Sequence, residues 1–88
     1  MKTILVLDDD PAIAKSLKRL LHLAGYRVIT ASNGSEGLAA ARVEMPALII
    51  TDRSMPIMDG VEFCRQLRRE RELARIPVIL TSADMSAP

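Results

Sequence analysis

The sequence contains only two aromatic residues, Tyr26 and Phe63, and no tryptophan, so aliphatic side chains and methionine must fill its core. Its one cysteine, Cys64, excludes an internal disulfide and suits a reducing cytoplasm. Its one histidine, His22, stands among leucines with no second His or Cys at ligand spacing, which reads as structural. No apolar run approaches the ~18 residues of a membrane span. The opening MKTILVLDDD turns acidic too early for a secretory signal. Charge of one sign is lacking too: 12 Lys and Arg stand against 11 Asp and Glu. That balance gives no electrostatic case for direct nucleic-acid contact or an anionic membrane. The expected setting is cytoplasmic.

What is present is apolar. The hydrophobic share is 49% and the mean hydropathy +0.16 in a chain of 88 residues, enough for one small globular domain. TILVL (3–7) reads as a strand covered on both faces, because it does not alternate. Asp10-Pro11 then resembles an N-cap and first helical position, and Ile13, Leu17, Leu20, Leu21 and Ala24 keep one helical face up to a stop at Gly25. YRVITA (26–31) is a second strand nearer an edge. A second helix opens in SNGSEG (32–37), runs to about Glu44 and is closed by Pro46. ALII (47–50) is a third strand. Asp59 caps a third helix, with Glu62 placed for a capping box, and the helix fades in the charged stretch 68–73. Pro77 precedes a fourth strand, VILTS (78–82). The order βαβαβαβ predicts an α/β fold, a parallel sheet with helices on both faces.

In such sheets, sites lie beyond the carboxyl ends of the strands. That rule gathers Asp8, Asp9 and Asp10 after the first strand, Asp52 after the third, and Ser82 with Ala83 after the fourth. Clustered carboxylates repel one another, and a hard divalent cation resolves the conflict. Mg²⁺ takes oxygen ligands, keeps several waters, and is held by one or two carboxylates plus a phosphate. A carboxylate beside it can then attack a phosphoryl group. Each piece also has a plainer reading, Asp8 to Asp10 as a helix cap and Asp52 as a turn residue. Asp10 is assigned to the cap. The arginines at 65, 68, 69, 71 and 75 are interleaved with Glu62, Glu70 and Glu72 and read as a solvated face. Met45, Met55 and Met58 read as packing residues, and Cys64 as a small residue facing the core.

ILVLDDD, LIITDRSMPIMDG and IPVILTSA resemble the receiver domain of two-component response regulators, from Lys2 to about Asp84. The resemblance implies a flavodoxin-like sheet with strand order 2-1-3-4 over these four strands. It implies that Asp52 is the phosphoacceptor, taking a phosphoryl group from a histidine kinase or phosphotransfer protein with Mg²⁺. Asp9 resembles the direct metal ligand, with Asp8 acting largely through water and Asp52 and the Ser54 backbone carbonyl completing the set. Ser82 and Ala83 stand at the switch and phosphate-binding positions. Met55 and Pro56 shape the loop, and Gly60 admits the turn into the third helix. The Ser54 side chain and Asp84 occupy positions that tune acyl-phosphate lifetime. No residue has an enzyme's catalytic role.

A receiver of this kind continues through a helix, a fifth strand bearing a phosphate-pairing lysine, and a last helix. On that comparison residues 1–88 are expected to be a single, C-terminally truncated receiver domain. Its only lysines, Lys2, Lys15 and Lys18, do not lie at a strand's carboxyl end. An exposed fourth strand would make the expected state a homodimer. Two other readings stay open. One is a phosphorylation-independent receiver-like module for interaction or dimerisation. The other is a phosphatase of the haloacid-dehalogenase type, with Asp8 as nucleophile and Asp10 as acid/base in LDDDP.

Overall fold

The computed structural model describes residues 1–81. Seven elements follow in the expected order: β1 (Thr3–Leu7), α1 (Pro11–Leu23), β2 (Arg27–Ala31), α2 (Gly34–Glu44), β3 (Leu48–Asp52), α3 (Gly60–Arg69) and β4 (Val78–Thr81). All pairings are parallel, in the order β2-β1-β3-β4. The chain steps from β1 to β2 in one direction and through β3 to β4 in the other. Right-handed crossovers therefore place α1 on one face and α2 and α3 on the opposite one. The main core fills the second face: Leu5, Leu7 and Ile49 from the sheet, Leu38 and Ala41 from α2, Phe63 and Leu67 from α3. Phe63, completely buried, is its largest side chain.

Local chemistry sets the helix ends. Asp10 accepts a hydrogen bond from the Ala12 amide at 2.9 Å, with Pro11 opening α1 as anticipated. Gly25, at φ +99°, closes α1: its amide donates to the His22 carbonyl and that of Tyr26 to the Leu21 carbonyl. These two bonds form a Schellman cap, which needs a left-handed residue. Asn33 and Asp59 cap α2 and α3 by accepting from the amides of Glu36 and Glu62. The anticipated capping box at α3 is only half made, because the Glu62 carboxylate binds Arg65 and Gln66 instead of reaching back.

The structure corrects some details of the sequence reading. β3 extends through Asp52, so the aspartate closes the strand instead of following it. The apolar stripe of α1 is poorly buried: Ala14 is its one buried residue, while Ile13 is 40% and Leu20 64% exposed. No neighbouring helix covers that flank among the described residues. Met45 packs little; it is the exposed left-handed cap of α2. Leu73, inside the charged stretch after α3, is buried to 1% exposure and joins the core. The arginine-rich surface is solvated as expected; among the described residues Arg65 pairs with Glu62, and Glu70 is taken by Arg42 of α2.

Candidate functional site

The direction of the sheet's winding reverses between β1 and β3, which opens a crevice beyond their carboxyl ends. Asp8 leaves β1 there with its amide bonded to the Ala31 carbonyl, and Asp52 ends β3 opposite Thr81 of β4. Both carboxylates are buried, each 7% exposed, while Asp9 is exposed. One oxygen from each of Asp8, Asp9 and Asp52 lies within 4.8 Å of the others. Asp10, in contrast, is held at the helix cap.

Hydrogen bonds orient two of the three. Asp8 Oδ1 accepts from the Asp10 amide at 2.9 Å, and Asp52 Oδ1 accepts from the Ser54 amide at 3.3 Å. Burial pushes the Asp8 carboxyl above its ordinary value, and the negative charges of Asp52, Asp9 and Asp10 add to the rise. The Asp10 amide opposes it. Such a cluster is electrostatically costly alone and suits a hard cation: the donors are all carboxylate oxygens, with no nitrogen or sulfur among them.

The loop after β3 is clamped at its base. The Gly60 amide donates to the Arg53 carbonyl at 2.9 Å, and the Arg53 amide to the Thr81 carbonyl at 3.0 Å. A Cβ on Gly60 would collide with the Asp52 carbonyl oxygen, so glycine is required by close approach. Met55 turns inward into the core, Pro56 is exposed, and Met58 lies against Gly34. Ser54 is exposed, two residues beyond Asp52. Ser82, Ala83 and Asp84 lie outside the described residues.

The structure also supplies what the sequence reading passed over. Lys15 and Lys18 belong to α1, yet that helix starts at the crevice. They line a groove of about 440 Å³ together with Asp8, Asp9, Thr30, Ser32 and Glu36. Neither lysine is ion-paired among the described residues. Counting turns from Pro11 would have revealed them, since Lys15 is little more than one turn into the helix.

A doubly wound sheet with buried acids at its switch point defines a class of phosphoryl- and metal-handling α/β domains. Within that class, the chain belongs to the response regulator receiver domain family, whose model matches residues 4–88. It is 43% identical over 82 residues to the alkaline phosphatase synthesis transcriptional regulatory protein PhoP of Bacillus subtilis, covering 93% of this chain and 33% of that protein. It is 38% identical to the protein PilH of Pseudomonas aeruginosa, covering 93% of this chain and 68% of PilH. The N-terminal domain of a response regulator receiver protein from Methanoculleus marisnigri superposes with a TM-score of 0.92 at 36% identity, over 100% of this chain and 72% of that one. The chain thus spans about a third of the length of the first curated relatives it matches. The flavodoxin-like fold and the place in two-component signalling follow from this membership. Receiver domains are typically non-enzymatic signalling modules. None of the described helices is long and apolar enough to cross a membrane.

Proposed function

We propose that Asp52 accepts a phosphoryl group from a phosphohistidine on a histidine kinase or phosphotransfer protein. The observation that carries this reading is the buried Asp52 carboxylate at the switch point, with oxygens of Asp8 and Asp9 within 4.8 Å. An Asp52 oxygen attacks phosphorus, an O–P bond forms and the P–N bond breaks. The electron pair stays on the imidazole nitrogen, which leaves as neutral imidazole when the other ring nitrogen keeps its proton. The Ser54 amide holds Asp52 Oδ1 and so orients the nucleophile. Asp8, Asp9, Asp52 and the Ser54 carbonyl would hold Mg²⁺, with Asp9 direct and Asp8 through water, and the ion would offset charge on the phosphoryl oxygens. Ser82 and Ala83 would meet the phosphoryl group from the end of β4. Met55, Pro56 and Gly60 shape the loop.

The test is labelling with acetyl phosphate and Mg²⁺, with the modified residue mapped by mass. Incorporation at Asp52, lost in Asp52→Asn, is the expected result. Incorporation that survives in Asp52→Asn overturns it. The phosphatase alternative draws no support from Asp10, whose Oδ1 accepts from the Ala12 amide at the α1 cap.

A second reading, a module that associates without phosphorylation, draws on one observation. β4 pairs only with β3 among the described residues, and its Ile79 and Leu80 are 50% and 44% exposed. A homodimer joined along β4 would cover them.

A further inference from the structure

Residues 54–59 lead from the clamped base of the loop to the cap of α3, and only Met55 and Met58 among them face inward. Met55 is buried and Met58 half-buried against the core, whereas Ser54, Pro56, Ile57 and Asp59 are exposed. The Ser54 amide, which donates to Asp52, therefore belongs to a loop held down by two methionine side chains.

The two anchors sit differently. Met55 is only 9% exposed and so is shielded from reagents in solvent. Met58 lies on the first residue of α2. A Cβ on Gly34 would stand 2.8 Å from Met58 Sδ and 2.9 Å from its Cβ, so the missing side chain of that glycine makes the seat. α2 packs on β1 and β2, so the seat faces the sheet edge opposite β4. The chain returns to it through a tight turn at Ile57, where φ is +72° and the Met58 amide donates to the Pro56 carbonyl at 2.7 Å. A β-branched residue is strained there, and such a turn persists only while its surroundings hold it. Met58 in its seat is one of those holds.

We infer that Met58 is a redox-modification site, oxidised by hydroperoxides to the sulfoxide, and that this releases the loop and slows phosphorylation of Asp52. The second half rests on the phosphoacceptor reading. A lone pair on Sδ attacks one oxygen of hydrogen peroxide, and an S–O bond forms as the O–O bond breaks. The departing oxygen takes up the proton of the transferred hydroxyl and leaves as water. Sulfur is oxidised by two electrons and peroxide is reduced by two. The product is polar where the thioether was not. Keeping it in the seat would bury that dipole against an apolar core, so the side chain turns out to water. The strained turn then relaxes, and the Ser54 amide loses its fixed place at Asp52. Methionine sulfoxide reductases reverse the change.

Wild type and Met58→Leu are treated with hydrogen peroxide until the exposed Met1 and Met45 are fully converted, and every oxidised residue is mapped by mass. Acetyl-phosphate labelling with Mg²⁺ is timed before oxidation, after it, and after treatment with methionine sulfoxide reductases A and B. Wild type should gain one oxygen at Met58, label about tenfold more slowly, and recover with the reductases. Leucine nearly conserves volume and resists oxidation, so Met58→Leu should label at the untreated wild-type rate throughout. Met58→Gln, a polar substitute for the sulfoxide, should be slow without peroxide. In wild type itself the loss should keep step with the Met58 sulfoxide and not with those of Met1 and Met45, which decides the matter even where the Leu variant folds poorly. An unmodified Met58, or a Met58 sulfoxide with unchanged labelling, would overturn the inference. Equal loss in Met58→Leu would overturn it too, by placing the effect at Cys64 or another methionine. Failure of untreated wild type to be labelled would instead remove the phosphoacceptor reading on which the inference stands.

Discussion

At the scale of single residues, the acid cluster is defined as much by burial as by charge. Asp8 and Asp9 are adjacent in sequence, yet β1 sends one inward and leaves the other in solvent. Burial is the leading cause of the raised Asp8 pKa, and that shift makes stability depend on pH. The folded state binds the Asp8 proton more tightly than the unfolded chain does. The stabilising contribution of the protonated form is therefore fully present below the ordinary value of 3.8. It is lost as pH rises through the higher folded value. Metal-free protein should accordingly lose this contribution with rising pH, and Asp8→Asn should flatten that part of the profile and raise neutral-pH stability. Urea midpoints measured with chelator across the acid range check this, and a profile unchanged by the substitution contradicts it. Asp9→Ala should abolish Mg²⁺ binding while leaving the metal-free domain no less stable. Calorimetric titration and thermal melts of that variant supply both readouts.

At the scale of elements, the caps and the loop clamp hold the crevice open in one shape. Asp59 meets the Glu62 amide at 2.8 Å, so Asp59→Ala should cost about 1 kcal/mol, measured by urea unfolding. Gly60→Ala should cost more, about 1–3 kcal/mol, because the new methyl meets backbone and not a yielding side chain. It should also slow acetyl-phosphate labelling, since the displaced atom is the carbonyl of Asp52. A Gly60→Ala protein with wild-type stability and labelling would show that the loop can shift freely. Capping signals and strand hydrophobicity were legible in the sequence because both act within a few residues. The half-made capping box at α3 was not, because Arg65 and Gln66 compete for the Glu62 carboxylate only once the helix exists.

For the whole molecule, the two faces of the sheet are unequally covered. α2 and α3 share a core around Phe63, whereas α1 leaves Ile13 and Leu20 in solvent on the other side. Phe63→Ala should cost about 3–5 kcal/mol, a large part of the ~5–15 kcal/mol that holds a domain folded. Denaturant titration should find it mostly unfolded or near its midpoint in buffer. Ile79 and Leu80, half-exposed on β4, which pairs only with β3 among the described residues, lead to a different expectation, self-association of the 88-residue chain. Light scattering across dilution should show a dimer that dissociates, and a monomer at all micromolar concentrations would refute the β4 pairing.

The sequence by itself determined the element order, a parallel sheet with helices on both faces, the strand order once its family resemblance was seen, and the convergence of Asp8, Asp9 and Asp52. These follow from periodicity, capping chemistry and the handedness of parallel crossovers, which are local or chiral rules. Tertiary structure alone decided the burial of Leu73 inside a charged stretch, the opposite exposures of Asp8 and Asp9, and the shared groove of Lys15 and Lys18 with those acids. It also decided the left-handed backbone of the exposed Ile57. The first and third of these depend on which distant segment arrives alongside: Leu73 on the core beneath it and Lys15 on the end of β2. Burial and loop closure are properties of such meetings, and no window of neighbouring residues contains them.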